Sequence, residues 1–442
     1  MAWSELRSGI DEEVTGGAAS ELGRIAPAKP LAVPRRILAV TNMLPYPPTN
    51  GAQMRDWELL RAFTSMGCEI NLLSFDQLEG LNGQREEIRR VCKTIEVVSR
   101  SMTSLSNSRD YLARFRALPA SLPYAVARFQ DKAMQQRIVQ WTQSGRVDAV
   151  LSSTPFPLAN LPPTMPLPLI VNCHNVEHLI LRRYLEYERN HLRRAYAWVE
   201  CQKLERWEKE VCSKASLLLV CSEHDHSVMK KLCPGPSVAV VPNAIDVNQY
   251  ALSDRSDDTT LLYAGGMDWF PNRDAVEFFV TTILPGLRRV VPQIKFVVAG
   301  RRGPEKFHQK LSKIPNVEFH GPVTDMRAEI AGAAVCVVPL RMGSGTRFKI
   351  LEAAAMGKPV VSTRLGAEGL EFVPGEEIVL ADEPQGFAAA VADLLADQSR
   401  RIALGRAARR RVEGHYDLSA FGTAARTAFG ESLPEPARVE KR

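Results

Sequence analysis

The sequence lacks any long apolar run. No stretch of its 442 residues approaches the roughly 18 consecutive uncharged apolar residues that a membrane-spanning helix needs. Its first residues, MAWSELRSGIDEEVTGG, contain no apolar segment of the kind found in a secretory signal peptide. We therefore expect a cytoplasmic protein, and leave open whether it also contacts the inner face of the cytoplasmic membrane as a peripheral protein.

Paired cysteines and a dinucleotide-binding motif are also missing. None of the eight cysteines stands in a C-x-x-C pair, and Cys173, Cys221 and Cys336 lie in apolar runs where buried thiols are common. This pattern suggests neither a disulfide framework nor a zinc ribbon. Because no G-x-G-x-x-G follows a strand-like run, a dinucleotide-dependent dehydrogenase is disfavoured.

The net charge of +6 is concentrated in one part of the chain. Residues 101–214 hold 16 Lys and Arg against 10 Asp and Glu, a difference of +6, so the rest of the chain is neutral. Such a surplus could attract anionic lipid or a phosphorylated molecule, and it could equally be a solvated arginine-rich surface. No recognition motif accompanies it, so we expect no nucleic-acid partner.

Short β-branched runs alternate with helical patterns along the chain. One series extends from ILAVTNM at 37–43 to VAVVPN at 238–243, and a second from LLYAGG at 261–266 to EIVLAD, which ends near Asp382. This alternation predicts an α/β fold class with two Rossmann-like, doubly wound domains. Two such domains that face each other would enclose a cleft between their strand-end loops, which suits an enzyme with two substrates.

Composition also predicts the limits of these parts. We expect a disordered tail over 1–34, a first domain over 35–243, a linker over 244–258, a second domain over 259–415, a helix over 416–433 that could pack back on the first domain, and a tail over 434–442.

The strongest local signal follows the run VCVVPL. Gly343 and Gly345 would let the backbone approach a ligand, and Thr346 would cap a following helix whose free N–H groups favour an anion. Arg347 and Lys349 add positive charge in the first turn, where it opposes the helix dipole and is easier to explain if phosphates bind there.

Glu352 lies three residues after Lys349 and thus on the same helix face. Its carboxylate would be placed to accept hydrogen bonds from vicinal hydroxyls. The alternative interpretation is a surface ion pair between Lys349 and Glu352 beside an ordinary glycine turn.

This block resembles the sugar-donor site of retaining GT-B glycosyltransferases of the group 1 and family 4 type, notably bacterial exopolysaccharide and cell-envelope sugar transferases. The similarity rests on GTRFKILEAAAMGKPVVST and LGAEGL, and extends to LLYAGGMDWFPNRDAVEFF, VVAGRRGP, VEFHGPV, VPNAID, VNCHNVE and VCSEHD. It covers roughly residues 37–415. The resemblance implies the GT-B architecture, with two domains facing across a cleft.

It also implies an activity: transfer of a hexose-type sugar from a nucleoside-diphosphate sugar to a hydroxyl of a glycan or lipid-linked acceptor, with retention. By position, Glu352 would bind the ribose, and Arg347 and Lys349 the diphosphate. This sequence departs from the family pattern at Ser344, where many members of the family carry a glutamate. Backbone amides of residues 343–346 could replace its contacts with the sugar.

In the N-terminal half, the resemblance places a glycine-rich loop beside the diphosphate, and Gly51 is the candidate. Arg55 is interpreted only as covering the helix that follows. His174 ends the run LIVNC at the mouth of the cleft, where the family keeps a histidine near the transferred sugar; a structural histidine is the alternative. The spacing H-x-x-E-H from His174 to His178 is treated as accidental, because zinc ligands of this kind share one helix turn.

We expect no cofactor and no metal, since no D-x-D sequence accompanies the candidate site. The helical stretch 181–213 mixes arginines with aromatic residues and could rest on a membrane or pack in the usual way. Two other functions stay open: a GT-B-type nucleotide-sugar epimerase, and a catalytically inactive binding protein.

Overall fold

The computed structural model describes residues 33–76, 84–99, 114, 117–253 and 258–429. In the first half the strands are β1 Arg36–Thr41, β2 Glu69–Asp76, β3 Cys92–Ser99, β4 Ala149–Ser152, β5 Leu169–Cys173, β6 Leu217–Val220 and β7 Ser237–Val240. In the second they are β8 Thr260–Ala264, β9 Lys295–Ala299, β10 Val317–His320, β11 Val335–Val338, β12 Val360–Ser362 and β13 Val379–Leu380.

These strands form two parallel sheets, in the orders β3-β2-β1-β4-β5-β6-β7 and β10-β9-β8-β11-β12-β13. The predicted α/β class with two doubly wound sheets is confirmed. Strand order reverses between β1 and β4 and again between β8 and β11. Ligands of open parallel sheets bind at such points, beyond the carboxyl ends of the strands.

Helices connect the strands and cover the sheets. Around the first sheet they are α1 Gly51–Ser65, α2 Gln84–Val91, α3 Tyr124–Ala127, α4 Lys132–Gln143, α5 Glu177–Tyr187, α6 His191–Cys212 and α7 Glu223–Leu232. Later in the chain come α8 Phe270–Phe278, α9 Leu284–Val290, α10 Glu305–Leu311, α11 Met326–Gly332, α12 Phe348–Ala355, α13 Pro384–Ala396, α14 Gln398–His415 and α15 Leu418–Thr427, with a π-helical segment Phe279–Ile283 between α8 and α9. Among the described residues, no helix is both long and apolar enough to cross a bilayer.

The central strands are buried throughout. β5 (LIVNC), β8 (TLLYA) and β11 (VCVV) have no exposed position. Strands of this kind need helices on both faces of the sheet, because each side chain must leave water on whichever face it points to. The buried strands hold the strand-end loops in fixed positions.

The last helix returns to the first half of the chain. Phe421 and Phe429 belong to the same buried cluster as Phe63 of α1, and the rings of Phe63 and Phe429 lie 5.4 Å apart. The domain limits given above remain a prediction. Residues 1–32 and 430–442, which include most of both predicted tails, lie outside the described residues.

The helical stretch expected over 181–213 is two helices. α5 ends at Tyr187 and α6 begins at His191. The break arises because the Asn190 side chain accepts a hydrogen bond from Arg193 N (3.0 Å) and so caps α6. The resulting corner places α5 against the second half of the molecule.

Candidate active site

The loop between β11 and α12 lies at the reversal point of the second sheet and presses against the first half. Gly343 (φ +133°) and Gly345 (φ +71°) adopt backbone conformations that favour glycine. A Cβ on Gly345 would stand 2.3 Å from the carbonyl oxygen of His174. The structure thus brings two predicted site residues together across the cleft, and only glycine fits there.

Two hydroxyls of this loop bind the first half of the chain. Ser344 Oγ accepts a hydrogen bond from Val176 N (2.9 Å), and Thr346 Oγ1 accepts one from Asn243 Nδ2 (2.6 Å). The side chain of Ser344, where the family pattern often has glutamate, is therefore buried in a contact between the halves. Both hydroxyls therefore connect the second half of the chain with the first, and only the backbones of these two residues are left for the predicted ligand contacts.

The expectation that Thr346 caps α12 is wrong. Arg347 occupies the cap position, with an extended backbone (φ −104°, ψ 102°) and no side-chain hydrogen bond to the first turn. The physical reason is that the Thr346 hydroxyl is already engaged by Asn243. No side chain of the described residues caps the amino end of α12, and such an end attracts anions.

Arg347 is a buried cation with unmet hydrogen-bonding capacity. Its Nη1 donates to the carbonyl oxygens of Ser344 (2.6 Å) and Gly345. Its Nε and Nη2 are buried without a hydrogen-bond partner among the described residues. Burial lowers the pKa of this guanidinium below its ordinary value. Buried donors are nearly always satisfied in folded proteins, so these two atoms are donors with capacity for a further hydrogen-bond acceptor.

Lys349 adds a second cation, which is half-buried. Its Nζ lies 3.0 Å from Asn272 Oδ1 and 4.0 Å from the centre of the Tyr263 ring. Burial, and then repulsion from Arg347, lower the pKa of this amine well below its ordinary value. A Cβ on Gly265, just after β8, would stand 2.9 Å from Nζ, so Lys349 reaches the end of the neighbouring strand.

Glu352 does not pair with Lys349 among the described residues, contrary to the alternative of a surface ion pair. Its Oε1 accepts a hydrogen bond from the hydroxyl of Tyr250 (3.2 Å). Burial raises the pKa of the Glu352 carboxyl to about 7, against the opposing effects of Tyr250 and Lys349. Tyr250 is a site residue that the sequence did not reveal.

Gly51 lies where two helices from opposite halves meet. It is the first residue of α1, whose cap is Asn50: Asn50 Oδ1 accepts from Gln53 N (3.1 Å). A Cβ on Gly51 would stand 2.6 Å from the Phe348 ring at the start of α12. The amino ends of α1 and α12 therefore approach each other, and both carry partial positive charge.

His174 follows β5 and turns its side chain towards α1. It is 8% exposed, and its Nε2 lies 2.9 Å from Asp56 Oδ1. Asn172 Nδ2 also donates to Asp56 Oδ1 (3.2 Å). His178, the other histidine of the H-x-x-E-H spacing, binds Glu208 instead, with Nδ1 2.7 Å from Oε2. Asp56 was not predicted, because it stands 118 positions away in the chain.

The sequence suggested that Arg55 only covers α1, but in the structure this residue makes buried contacts with three other residues. It is 2% exposed, and its guanidinium donates to Asn172 Oδ1 (2.8 Å), Val241 O (2.7 Å) and Asn243 Oδ1 (3.0 Å). Asn243 in turn donates to Thr346 Oγ1. A buried polar chain thus connects α1 with the loop that precedes α12.

Comparisons with known proteins agree with this geometry. Residues 49–249 match the family model described as Glycosyltransferase Family 4, and residues 258–397 match the model described as Glycosyl transferases group 1. An uncharacterised 44.6 kDa protein in the cps region of Klebsiella pneumoniae is 21% identical over 360 residues, 80% of this chain and 89% of that protein. Glycogen synthase of Mycobacterium tuberculosis is 26% identical over 249 residues, 52% of this chain and 58% of that enzyme.

Solved structures show the same fold at low sequence identity. Sucrose-phosphate synthase from Thermosynechococcus elongatus superposes with a TM-score of 0.64 at 16% identity, over 90% of this chain and 100% of that one. HepE of Anabaena, in complex with UDP-glucose, gives a TM-score of 0.60 at 15% identity, over 89% and 99%. Matched by glycosyltransferase models in both halves and by these structures over nearly its whole length, the protein is a GT-B glycosyltransferase.

Proposed function

We propose that this glycosyltransferase moves a hexose-type sugar from a UDP-sugar to a hydroxyl of a glycan or lipid-linked acceptor, with retention, in polysaccharide or cell-envelope synthesis. The observation that carries the proposal is the pair of cations, buried Arg347 and half-buried Lys349, beside the amino ends of α1 and α12. UDP-glucose is the ligand in the HepE complex, and the cps region of K. pneumoniae holds one of the relatives.

A diphosphate would satisfy these groups. Two phosphates supply many acceptor oxygens, which suit the unpaired Nε and Nη2 of Arg347 and the amine of Lys349. Negative charge grows on the diphosphate as its bond to the sugar breaks. Fixed cations and helix amides in a buried site stabilise that charge without reorganising, which lowers the barrier.

Glu352 would bind the ribose. Its ionised carboxylate can accept hydrogen bonds from both ribose hydroxyls, while Tyr250 holds it in place from the segment before β8. Because α12 carries both Lys349 and Glu352, one rigid helix would fix the diphosphate and the ribose relative to each other.

The first half would complete the reactive geometry. Gly51 allows the amino end of α1 to approach the diphosphate, and His174 would contact the transferred sugar with Asp56 positioning its ring. We assign all charge neutralisation to protein groups, so the proposal includes no metal.

Peripheral contact with an anionic membrane is a further part of the proposal. At the start of α6, Leu192 is 83% exposed and Trp198 is 57% exposed, and Arg193 is also exposed. Apolar side chains beside arginines suit the boundary between headgroups and acyl chains. The unmodified protein should sediment with phosphatidylglycerol vesicles and not with phosphatidylcholine vesicles. The double variant Leu192→Ser/Trp198→Ser should sediment less with phosphatidylglycerol vesicles. Equal sedimentation of the two proteins would contradict the proposed membrane contact.

The function itself is tested by incubating the full chain with UDP-glucose, alone and with a set of glycan acceptors, and following the products by NMR. We expect UDP release that depends on acceptor, and a new linkage with the anomeric configuration of the sugar donor. Conversion of UDP-glucose to a stereoisomer without acceptor would instead make the protein an epimerase, and UDP binding without turnover would make it a binding protein.

A further inference from the structure

A groove of about 770 Å³ opens between the two halves, beside the loop that leads into α12. One wall is the corner between α5 and α6, and the other is α8 with the π-helical segment that follows it. The lining of the groove includes Tyr187, Phe278 and Arg341. Its volume lies within the range of about 300 to 1,000 Å³ that is usual for ligand sites.

Arg341 joins the two walls. Its guanidinium lies between two rings, 4.5 Å from the centre of Tyr187 on one wall and 4.4 Å from that of Phe278 on the other. Asp274 holds it with two hydrogen bonds of 3.0 and 2.6 Å. The floor of the groove is therefore rigid, and it exists only when the two halves are together.

Part of the lining is already paired and part is available to a ligand. Glu188 binds the hydroxyl of Tyr184, and Glu277 binds Lys310. In contrast, the side chains of Glu186, Arg189 and Arg194 make no hydrogen bond or ion pair with any residue that the structure describes. Tyr187 also remains 40% exposed.

The charges of the lining select the class of ligand. Asp274 is paired with Arg341 and Glu277 with Lys310, so Glu186 and Glu188 are left against Arg189 and Arg194, and the groove has no net attraction for an anion. Exposed aromatic faces pack against the C–H faces of sugar rings, and carboxylates, guanidinium groups and the hydroxyls of Thr281 and Thr282 can bond sugar hydroxyls. This combination suits an uncharged saccharide.

The groove lies beside the loop that bears part of the candidate active site. Arg341 stands two residues before Gly343, whose carbonyl oxygen accepts a hydrogen bond from Arg183 of α5 (2.5 Å). A chain held in the groove would therefore run alongside the loop that bears the proposed diphosphate site.

We propose that this groove binds an uncharged oligosaccharide segment of the acceptor and directs its end towards the transferred sugar. The proposal rests on the glycosyltransferase function proposed above. It names the acceptor as a neutral glycan and excludes one whose recognised part carries phosphate or uronic acid.

The test uses the full chain saturated with UDP, on an array of neutral and uronic-acid-containing bacterial oligosaccharides, with the best ligand then measured by calorimetry. We expect neutral glycans to bind. Tyr187→Ala should weaken them at least about tenfold, because the exposed ring would be lost. Thr282→Trp should fill the groove and weaken them similarly, whereas Thr427→Trp, an exposed threonine near the end of α15, is the matched control.

The affinity for UDP is measured on the same proteins and separates the two proposals. Loss of glycan binding in both groove variants with unchanged UDP affinity would support the groove. Binding of charged glycans only, no binding to any glycan, or equal glycan affinity in all variants would overturn it while leaving the UDP site intact. Failure of the unmodified chain to bind UDP would instead overturn the proposed function.

Discussion

His174 Nε2 and Asp56 Oδ1 lie 2.9 Å apart, in a pocket where both side chains are nearly inaccessible to water. The same nitrogen lies 2.9 Å from Asn172 Nδ2, so it faces a carboxylate that can accept a hydrogen bond from it and an amide that can donate one to it. Asp56 and Asn172 together hold the orientation of His174, and Asp56 favours the tautomer with its proton on Nε2.

Removal of the imidazole should affect turnover more than binding of the sugar nucleotide. We expect His174→Ala to lower kcat about 30-fold, equivalent to roughly 2 kcal/mol from one lost hydrogen bond to a charged transition state. UDP affinity should change little, because the proposed diphosphate contacts are Arg347, Lys349 and the helix ends, and do not include His174. Turnover numbers and calorimetric dissociation constants check this, with circular dichroism to confirm folding.

Asp56→Asn separates positioning from a purely structural role. If Asp56 sets the tautomer of His174, this variant should fold, bind UDP normally and show a lower kcat with an altered pH profile. A His174→Ala enzyme with wild-type turnover would show that the histidine is structural, and the model of this wall of the cleft would have to be abandoned.

The affinity for UDP should rise with pH around neutrality. Burial raises the pKa of Glu352 to about 7, and only its ionised form accepts hydrogen bonds from both ribose hydroxyls. Below pH 7 the proton competes with the ligand, so binding weakens as pH falls. Glu352→Gln should bind UDP more weakly by about 1.5 to 3 kcal/mol at pH 8 and lose most of this pH dependence. An identical pH dependence in both proteins would remove Glu352 from the site.

The sequence predicted the sheets well because their central strands are buried on both faces. A run such as LIVNC has few alternatives to a central parallel strand, and β5 occupies residues 169–173 as expected. The run EIVLAD yielded only the two-residue β13, which lies at the edge of its sheet. The stretch 181–213 was misjudged because its helical pattern continues through Asn190, whose cap depends on one local hydrogen bond.

Site residues were predictable only where they belong to one local segment. The block from Gly343 to Glu352 could be identified because its glycines, cations and carboxylate follow one strand. Asp56 and Tyr250 reach the site from 118 and 102 positions away, with no local signal. The hydroxyl of Thr346 looked like a cap, but its partner, Asn243, comes from the other half of the chain.

Gly345 offers a test of the closed cleft. In Gly345→Ala the new methyl group would stand 2.3 Å from His174 O, at a backbone φ of +71°. The loop can relieve this clash only by withdrawing from the first half, so we expect kcat to fall about tenfold or more, since misplacement of reacting groups is costly. Gly375→Ala also has a positive φ but has nothing nearby, which makes it the control for backbone strain. Similar activity in the two variants would contradict the closed arrangement.

Transfer should continue in excess EDTA. The proposal assigns all neutralisation of the diphosphate to Arg347, Lys349 and the helix amides. The initial rate with chelator should therefore be within about twofold of the rate without it, which is a smaller change than the loss of one charge contact would cause. Dialysed protein is assayed with and without chelator. Complete loss of activity that magnesium or manganese restores would contradict this assignment.

Arg347 is proposed to bind the diphosphate through its two unpaired donors, Nε and Nη2. The most direct measurement is calorimetric titration of UDP and uridine into the wild-type chain and Arg347→Ala, with folding confirmed by circular dichroism. We predict that the variant loses at least about tenfold in affinity for UDP, equivalent to roughly 1.4 kcal/mol, and little or none for uridine, which has no phosphate. Equal affinity of both proteins for UDP would show that Arg347 does not hold the diphosphate, and the proposed site would be wrong.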